Sequence, residues 1–264
     1  MSKLRLDDLL VKRGLFASRG EAERAIIAGL VRSDGTELNQ PGTPVDFETP
    51  LAVHPPKRFV SRGGEKLEKA LEVFNLSITG SRCIDIGAST GGFTHCLLTY
   101  GAAEVCAVDV GYGQLAWELR SDERVRLFER TNISTACLGK LGAPFDVVAV
   151  DVSFGRLGRL ASILDALTID EGHCIMLIKP QFELPKSQVK TGVILEQELH
   201  TQAIESVIEK LRYTQLASRA LTYSPIKGPK GNIEFLLWAQ KGAIPATIPV
   251  DEIVQSAHAQ LKRQ

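Results

Sequence analysis

Apolar positions along the chain change period several times, and each change predicts an element. Leu4, Leu6, Leu9, Leu10 and Val11 fall on one helical stripe that ends near Gly14. Ser18 followed by Glu21 is a capping box for a second helix through Ala22, Ala25, Ile26 and Ile27, stopped at Gly29. Val31 to Leu38 and Thr43 to Val53 then read as short strands around Asp34-Gly35 and Pro41-Gly42 turns. Leu67, Ala70, Leu71 and Phe74 form the apolar face of a helix entered through Ser61-Arg62-Gly63-Gly64-Glu65-Lys66. From there the pattern alternates. Strands are predicted at Arg82 to Asp85, Glu104 to Val110, Arg124 to Phe128, Phe145 to Val150 and His173 to Ile178. Helices are predicted at Phe93 to Tyr100, Leu157 to Leu167 and Gln197 to Leu211. Lys186 to Leu195 is polar and reads as a mobile loop, and Ala217 to Ser224 with Ile233 to Ala239 reads as a hairpin. Ile253, Val254, Ala257 and Leu261 give a final amphipathic helix within Val250 to Leu261.

Alternating strands and helices predict an α/β fold with a doubly wound, mostly parallel sheet and one antiparallel strand, preceded by a small α+β module. Four regions follow: a module at 1–54, a linker at 55–60 with Pro55, Pro56, Lys57 and Arg58, an α/β domain at 61–242 and a tail at 243–264. The 264 residues suffice for such a core.

Charge adds little. Lys and Arg equal Asp and Glu at 31 each, so any nucleic-acid partner has to be met by a local patch. The five scattered cysteines show no metal-ligand spacing and suit a reducing cytoplasm. Nothing at the N-terminus resembles an apolar signal core, and no run approaches the roughly 18 apolar residues of a membrane span.

The chemistry centres on Arg82 to Thr94. An apolar strand ends at Asp85, a turn with Gly87, Ser89, Thr90, Gly91 and Gly92 follows, and Phe93 opens a helix. This is the first unit of a nucleotide-type cofactor site. The order lacks G-x-G-x-x-G, and a carboxylate before the first glycine repels a diphosphate but suits a cationic amino-acid head such as that of S-adenosylmethionine. Asp109, followed by Val110, lies at roughly the 20-residue offset where an acid meets ribose hydroxyls. Asn132 and Ile133 stand where an adenine pocket forms. A tight turn in another α/β protein remains the alternative. Asp85, Asp109, Asp151 and Lys179 all end strands, and Glu234, at the start of an antiparallel last strand, returns to the same edge. Lys66 in a first helical turn opposes the helix dipole, which calls for a functional reason. Two lysines and two carboxylates beside a cofactor could activate a hydroxyl, because a lysine acts as base once its pKa is drawn down. Structural ion pairs at a sheet edge are the competing reading.

These residues carry a resemblance. Arg5 to Leu10, Ser18 to Ala22 and Ile27 to Val31 resemble the RNA-binding module named after ribosomal protein S4. The resemblance implies contacts to RNA phosphates by Arg5, Arg13, Ser18, Arg19 and Arg24, with Lys57, Arg58 and Arg62 adding to the basic surface. Lys66, Asp151, Lys179 and Glu234 match the Lys-Asp-Lys-Glu set of the FtsJ-like RNA ribose 2′-O-methyltransferases. Val60 to Leu67, Asp85 to Thr94, Ala107 to Leu115, Glu129 to Ile133, Asp151 to Phe154, Leu177 to Glu183 and Gly231 to Leu237 resemble the TlyA family, many members of which carry the label hemolysin A. The resemblance implies Lys179 as base, Lys66, Asp151 and Glu234 as its helpers, S-adenosylmethionine as cofactor, no metal, and ribosomal RNA or ribosomal subunits as partner in the cytoplasm. An RNA-binding protein with a vestigial pocket and a hemolysin are the other readings. His95 stands where the family has Asp, Ser134 where it has Arg, and Val189 to Gln197 departs from the family's loop after the catalytic strand.

Overall fold

The computed structural model describes residues 3–54, 58–153, 155–189 and 191–261. The chain divides into two compact units, Met1–Arg58 and Phe59–Gln264. Pro55, Pro56 and Lys57 of the expected linker lie outside the described residues.

In the first unit, β1 (Leu4–Arg5) leads directly into α1 (Leu6–Lys12), followed by α2 (Arg19–Ile27), β2 (Val31–Ser33), β3 (Thr36–Glu37), β4 (Pro44–Val45) and β5 (Ala52–Val53). Leu4 therefore belongs to a strand, not to the helical stripe. It pairs with Val45 while still facing the module's core. Ser18 caps α2 as expected, its Oγ accepting from Glu21 N at 3.3 Å. The predicted strand from Thr43 to Val53 is two. Asp46 to Thr49 forms a turn, and Pro50 has no N–H for a ladder, so β4 pairs with β1 and β5 with β2. Leu6, Leu9, Leu10, Ala22, Ile26 and Val31 close the core.

The second unit opens with α3 (Gly63–Val73), then β6 (Arg82–Ile86), α4 (Gly92–Thr99), β7 (Glu104–Val108), α5 (Trp117–Arg120), β8 (Val125–Phe128), α6 (Leu138–Leu141) and β9 (Phe145–Val150). It continues through α7 (Ala161–Leu167), β10 (Thr168–Ile178), α8 (Pro180–Glu183), α9 (Gln197–Leu211), β11 (Leu216–Tyr223), β12 (Phe235–Lys241) and α10 (Val250–Leu261). The seven strands lie in the order β11-β12-β10-β9-β6-β7-β8. The ladders from β10 to β8 are parallel, and β12 inserts antiparallel between β10 and β11. Strands β6, β7 and β9 read as apolar runs because helices cover both faces, giving two hydrophobic clusters on either side of the sheet. Val254, Ala257 and Leu261 of α10 pack into one of them, which ties the tail to this unit.

Two predicted elements differ. Leu157–Arg159 is a 3-10 turn, and only Ala161–Leu167 is α-helix. The segment before α9 is pinned rather than loose. Ile194 is buried with Leu184 and Ala203, and Val189 packs against the same cluster, so apolar side chains within the stretch anchor it.

Candidate active site

The turn after β6 is built around backbone approaches that side chains would block. Gly87 has φ +89°, and a Cβ there would fall inside van der Waals contact of the Asp151 carbonyl. Gly92 opens α4 against Ser61 and the Gly64 amide, where a Cβ would clash as well. The first carboxylate lies beneath this turn. Asp85 is fully buried, and its Oδ2 accepts from Thr94 N at 2.8 Å and Thr94 Oγ1 at 2.6 Å. Burial pushes its carboxyl up to about 7, with Asp151 and Asp109 adding to the effect and the Thr94 bonds opposing it. Its Oδ1 has no hydrogen-bond donor among the described residues. That atom is the one a cationic amino group would satisfy. Asp109 secures the turn from the next strand, its Oδ2 accepting from Ser89 N at 2.8 Å and its Oδ1 from Gly111 N at 2.6 Å. The glycine cradle, the orphaned Asp85 oxygen and Asp109 together fit the S-adenosylmethionine expected from the sequence.

Of the other expected cofactor residues, Thr90 is exposed and its carbonyl accepts from Ala116 N at 3.1 Å. Gly91, with φ +98°, packs against Leu115 and Leu119. Phe93 and Ile133 are core residues, Val110 is partly exposed, and Asn132 caps its own turn by accepting from Ser134 N at 3.0 Å.

Four ionisable side chains meet at the strand ends as two ion pairs. Lys66 Nζ donates to Glu234 Oε2 at 2.5 Å, and Lys179 Nζ lies 2.6 Å from Asp151 Oδ1. Both lysines and Glu234 are buried. Ile178 pairs with Phe235 across the ladder, so the residues just beyond them, Lys179 and Glu234, emerge side by side. Glu234 explains why a lysine is tolerated in the first turn of α3. Gly228 leaves room for its carboxylate. A cavity of about 300 Å³ is lined by Ser61, Lys66, Gly87, Ser89 and Asp151. A second, of about 370 Å³, is lined by Lys66, Asp151, Lys179, Phe182, Lys230 and Glu234. Lys66, Asp151 and Pro229 belong to both, so a donor in one would face an acceptor in the other across these groups. A larger groove of about 830 Å³ runs along α9 and carries none of these residues.

Two contributors are not evident from the sequence. Ser153 Oγ accepts from Lys179 Nζ at 2.9 Å, and Thr94 holds Asp85. Ser61, a cap expected from the sequence, accepts on Oγ from Gly63 N at 3.3 Å at the entry of α3. Ser153 sits in the D-V-S-F word, which was the signal available, and Phe154 of that word lies outside the described residues. His95 meets the need for an acceptor at its position, its Nδ1 taking the Val60 N–H at 3.2 Å.

In the first unit, Asp7 organises the basic surface. This buried carboxylate accepts from Arg5 at 2.6 Å and from Arg19 at 3.2 Å, holding both arginines together. Burial raises its carboxyl, but the Arg5 hydrogen bond, the Asp8 N–H and the Arg19 charge outweigh that and hold it below the usual range. Arg13 is turned inward onto the carbonyls of Thr49, at 2.7 Å, and Phe47. The Ser18 hydroxyl is spent on its cap, and Arg24 and Arg58 are exposed. Arg62, in the second unit, donates to Lys227 O at 2.8 Å. Lys57 lies outside the described residues.

Among the described residues no group of three His, Cys, Asp or Glu could hold a metal, and no helix is long and apolar enough to cross a membrane. The sequence matches the FtsJ-like methyltransferase family over residues 59–241 and the S4 domain over residues 4–50. It is 42% identical, over 89% of both chains, to the 16S/23S rRNA (cytidine-2′-O)-methyltransferase TlyA of Mycobacterium tuberculosis. Hemolysin A of Brachyspira hyodysenteriae is 37% identical, over 88% of this chain and 98% of its own. A solved structure from Streptococcus thermophilus, carrying the name hemolysin, superposes with a TM-score of 0.77 at 40% identity, covering 100% of this chain and 98% of its own.

Proposed function

The chain belongs to the FtsJ-like methyltransferase family, with an S4 domain ahead of the catalytic unit, and from that premise we propose that it methylates a ribose 2′-hydroxyl of ribosomal RNA. The observation that carries this reading is the pair of lysine–carboxylate contacts where the two cavities join. TlyA of Mycobacterium tuberculosis, a relative along most of the chain, is named for that reaction on 16S and 23S rRNA.

Gly87, Gly91 and Gly92 with Asp85 and Asp109 would hold S-adenosylmethionine, which would supply an electrophilic methyl group when bound. The protein's own task is on the acceptor side, since a ribose hydroxyl is a poor nucleophile until its proton is removed. Lys179 is the group placed to take that proton, its Nζ aimed by Asp151 and Ser153. Lys66, set by Glu234, lines the same cavity and presents a cation for the negative charge that develops on oxygen. Holding the acceptor oxygen in line with the methyl group supplies the remaining acceleration. Arg5, Arg19 and Arg24 provide phosphate contacts that position a folded RNA without reading its sequence. Such a reaction takes place in the cytoplasm, with ribosomal subunits as substrate.

The name hemolysin borne by two of the similar proteins suggests a second reading, membrane damage, but no feature of this site performs it. Incubation with radiolabelled S-adenosylmethionine and undermethylated ribosomal subunits tests the proposal. Label enters rRNA with the wild-type protein and not with Lys179→Ala. Cofactor binding without transfer to either subunit would overturn it.

A further inference from the structure

The segment between α8 and α9 departs from the family's pattern, and the structure gives it a fixed place. Gly192 lines the cavity that holds Lys179 and Glu234. Asn232 holds the segment there. Its Oδ1 accepts from Ile194 N at 2.8 Å and its Nδ2 donates to Gly192 O at 2.9 Å. Its own carbonyl accepts from Gly228 N at 2.9 Å, in the turn that makes room for Glu234. Asn232 is buried, lines the same cavity and stands two residues before Glu234. A primary amide carries its acceptor and its donor on two separate atoms, which is how Asn232 reaches both Ile194 N and Gly192 O at once. Aspartate lacks the donor that Gly192 O uses, and alanine lacks both groups. Ile194 completes the anchorage by burying its side chain against Leu184 and Ala203.

We infer that Asn232 is a positioning residue that fixes Thr191 to Ile194 as a wall of the acceptor cavity and so sets affinity for the RNA but not for the cofactor. The inference rests on the methyltransferase reading. Asn232 lines the cavity with Lys179 and Glu234 and not the one with Gly87 and Ser89. Its loss therefore moves the acceptor side alone. The RNA meets a wall that is already in place, so the ordering of this segment is not charged to binding.

Steady-state methylation of undermethylated rRNA tests this, with Asn232→Ala and Asn232→Asp beside the wild type. Calorimetry of S-adenosylhomocysteine reports the cofactor side, and hydrogen exchange at the Ile194 amide reports the wall. With Asn232→Ala the KM for RNA rises about tenfold, kcat stays within about threefold, cofactor affinity stays within about twofold, and the Ile194 amide exchanges faster. Asn232→Asp, which keeps the acceptor for Ile194 N–H, falls between. Combining Asn232→Ala with Ile194→Ala raises KM by less than the product of the single effects, because both act through one segment. An unchanged KM in an active enzyme, or a parallel loss of cofactor affinity, overturns the inference. If Asn232→Ala does not fold, Asn232→Asp decides in the same way. A wild type that transfers no methyl group overturns the methyltransferase reading, and this inference with it.

Discussion

Lys66 and Glu234 stand 168 positions apart in the chain and meet at 2.5 Å, both buried. One is in the first turn of α3, and the other immediately precedes β12, the antiparallel strand of the seven-stranded sheet. Neither charge is stable alone in that place. Lys66→Ala therefore leaves a buried carboxylate without its partner, and thermal or denaturant unfolding registers a loss of about 3–5 kcal/mol. Lys66→Met combined with Glu234→Gln removes both charges. It recovers most of that stability while methyl transfer stays at least about 100-fold down, because the groups act on the reaction as well as on the fold. Recovery of activity along with stability would make the pair purely structural.

The glycine positions of the turn after β6 leave no room for a Cβ. Gly87→Ala adds a Cβ against the Asp151 carbonyl at a backbone angle that disfavours it. The expected result is a loss of about 1–3 kcal/mol in stability, with cofactor affinity down at least about tenfold by calorimetry. Gly155, also at positive φ but with open space around its Cβ position, is the control. Gly155→Ala carries the backbone strain without the clash and costs less.

Asp85 makes stability fall with pH. Below its ordinary value of 3.8 its carboxyl is protonated in both the folded and the unfolded chain. Between 3.8 and about 7 only the unfolded chain ionises, so stability declines as pH rises through that window and levels off above it. Asp85→Asn stays neutral throughout. The Tm of the wild type falls relative to Asp85→Asn between about pH 4 and about pH 7 and then stays level. A constant difference across that range would mean that the carboxyl titrates normally.

Arg5 and Arg19 share one buried carboxylate, so Asp7 controls both. Arg24→Ala removes one exposed cation and lowers the salt dependence of rRNA binding by about one unit of slope, with little effect on folding. Asp7→Asn loosens both arginines at once and weakens binding more than either single arginine variant does. Filter binding across a salt series checks both statements. Equal slopes for Arg24→Ala and the wild type would place the RNA elsewhere.

The strand ends were legible in the sequence because Asp85, Asp109, Asp151 and Lys179 each follow an apolar run, and a parallel sheet sends such residues to one edge. Glu234 joined them only through the reading of the last two strands as a hairpin, which the antiparallel β11–β12 ladder bears out, while the β10–β12 register sets it beside Lys179. What the sequence hid are contacts that depend on side-chain reach. The 186–195 stretch reads as mobile by composition, yet Gly192 and Ile194 bond to Asn232, and Val189 and Ile194 pack with Leu184 and Ala203. Composition likewise hides the arginine pair on Asp7. The i to i+2 spacing from Arg5 to Asp7 is not a helical neighbour relation; the two side chains meet because Arg5 is the extended residue ahead of α1 and Asp7 lies in its first turn.

The central claim is that the methyl group lands on a ribose oxygen, activated by Lys179. Alkaline hydrolysis of rRNA labelled by the protein tests it most directly, since cleavage of each linkage needs its free 2′-hydroxyl. The account predicts that the label is recovered in an alkali-resistant dinucleotide and that Lys179→Ala yields none. Label recovered in ordinary mononucleotides, on a base, would contradict it.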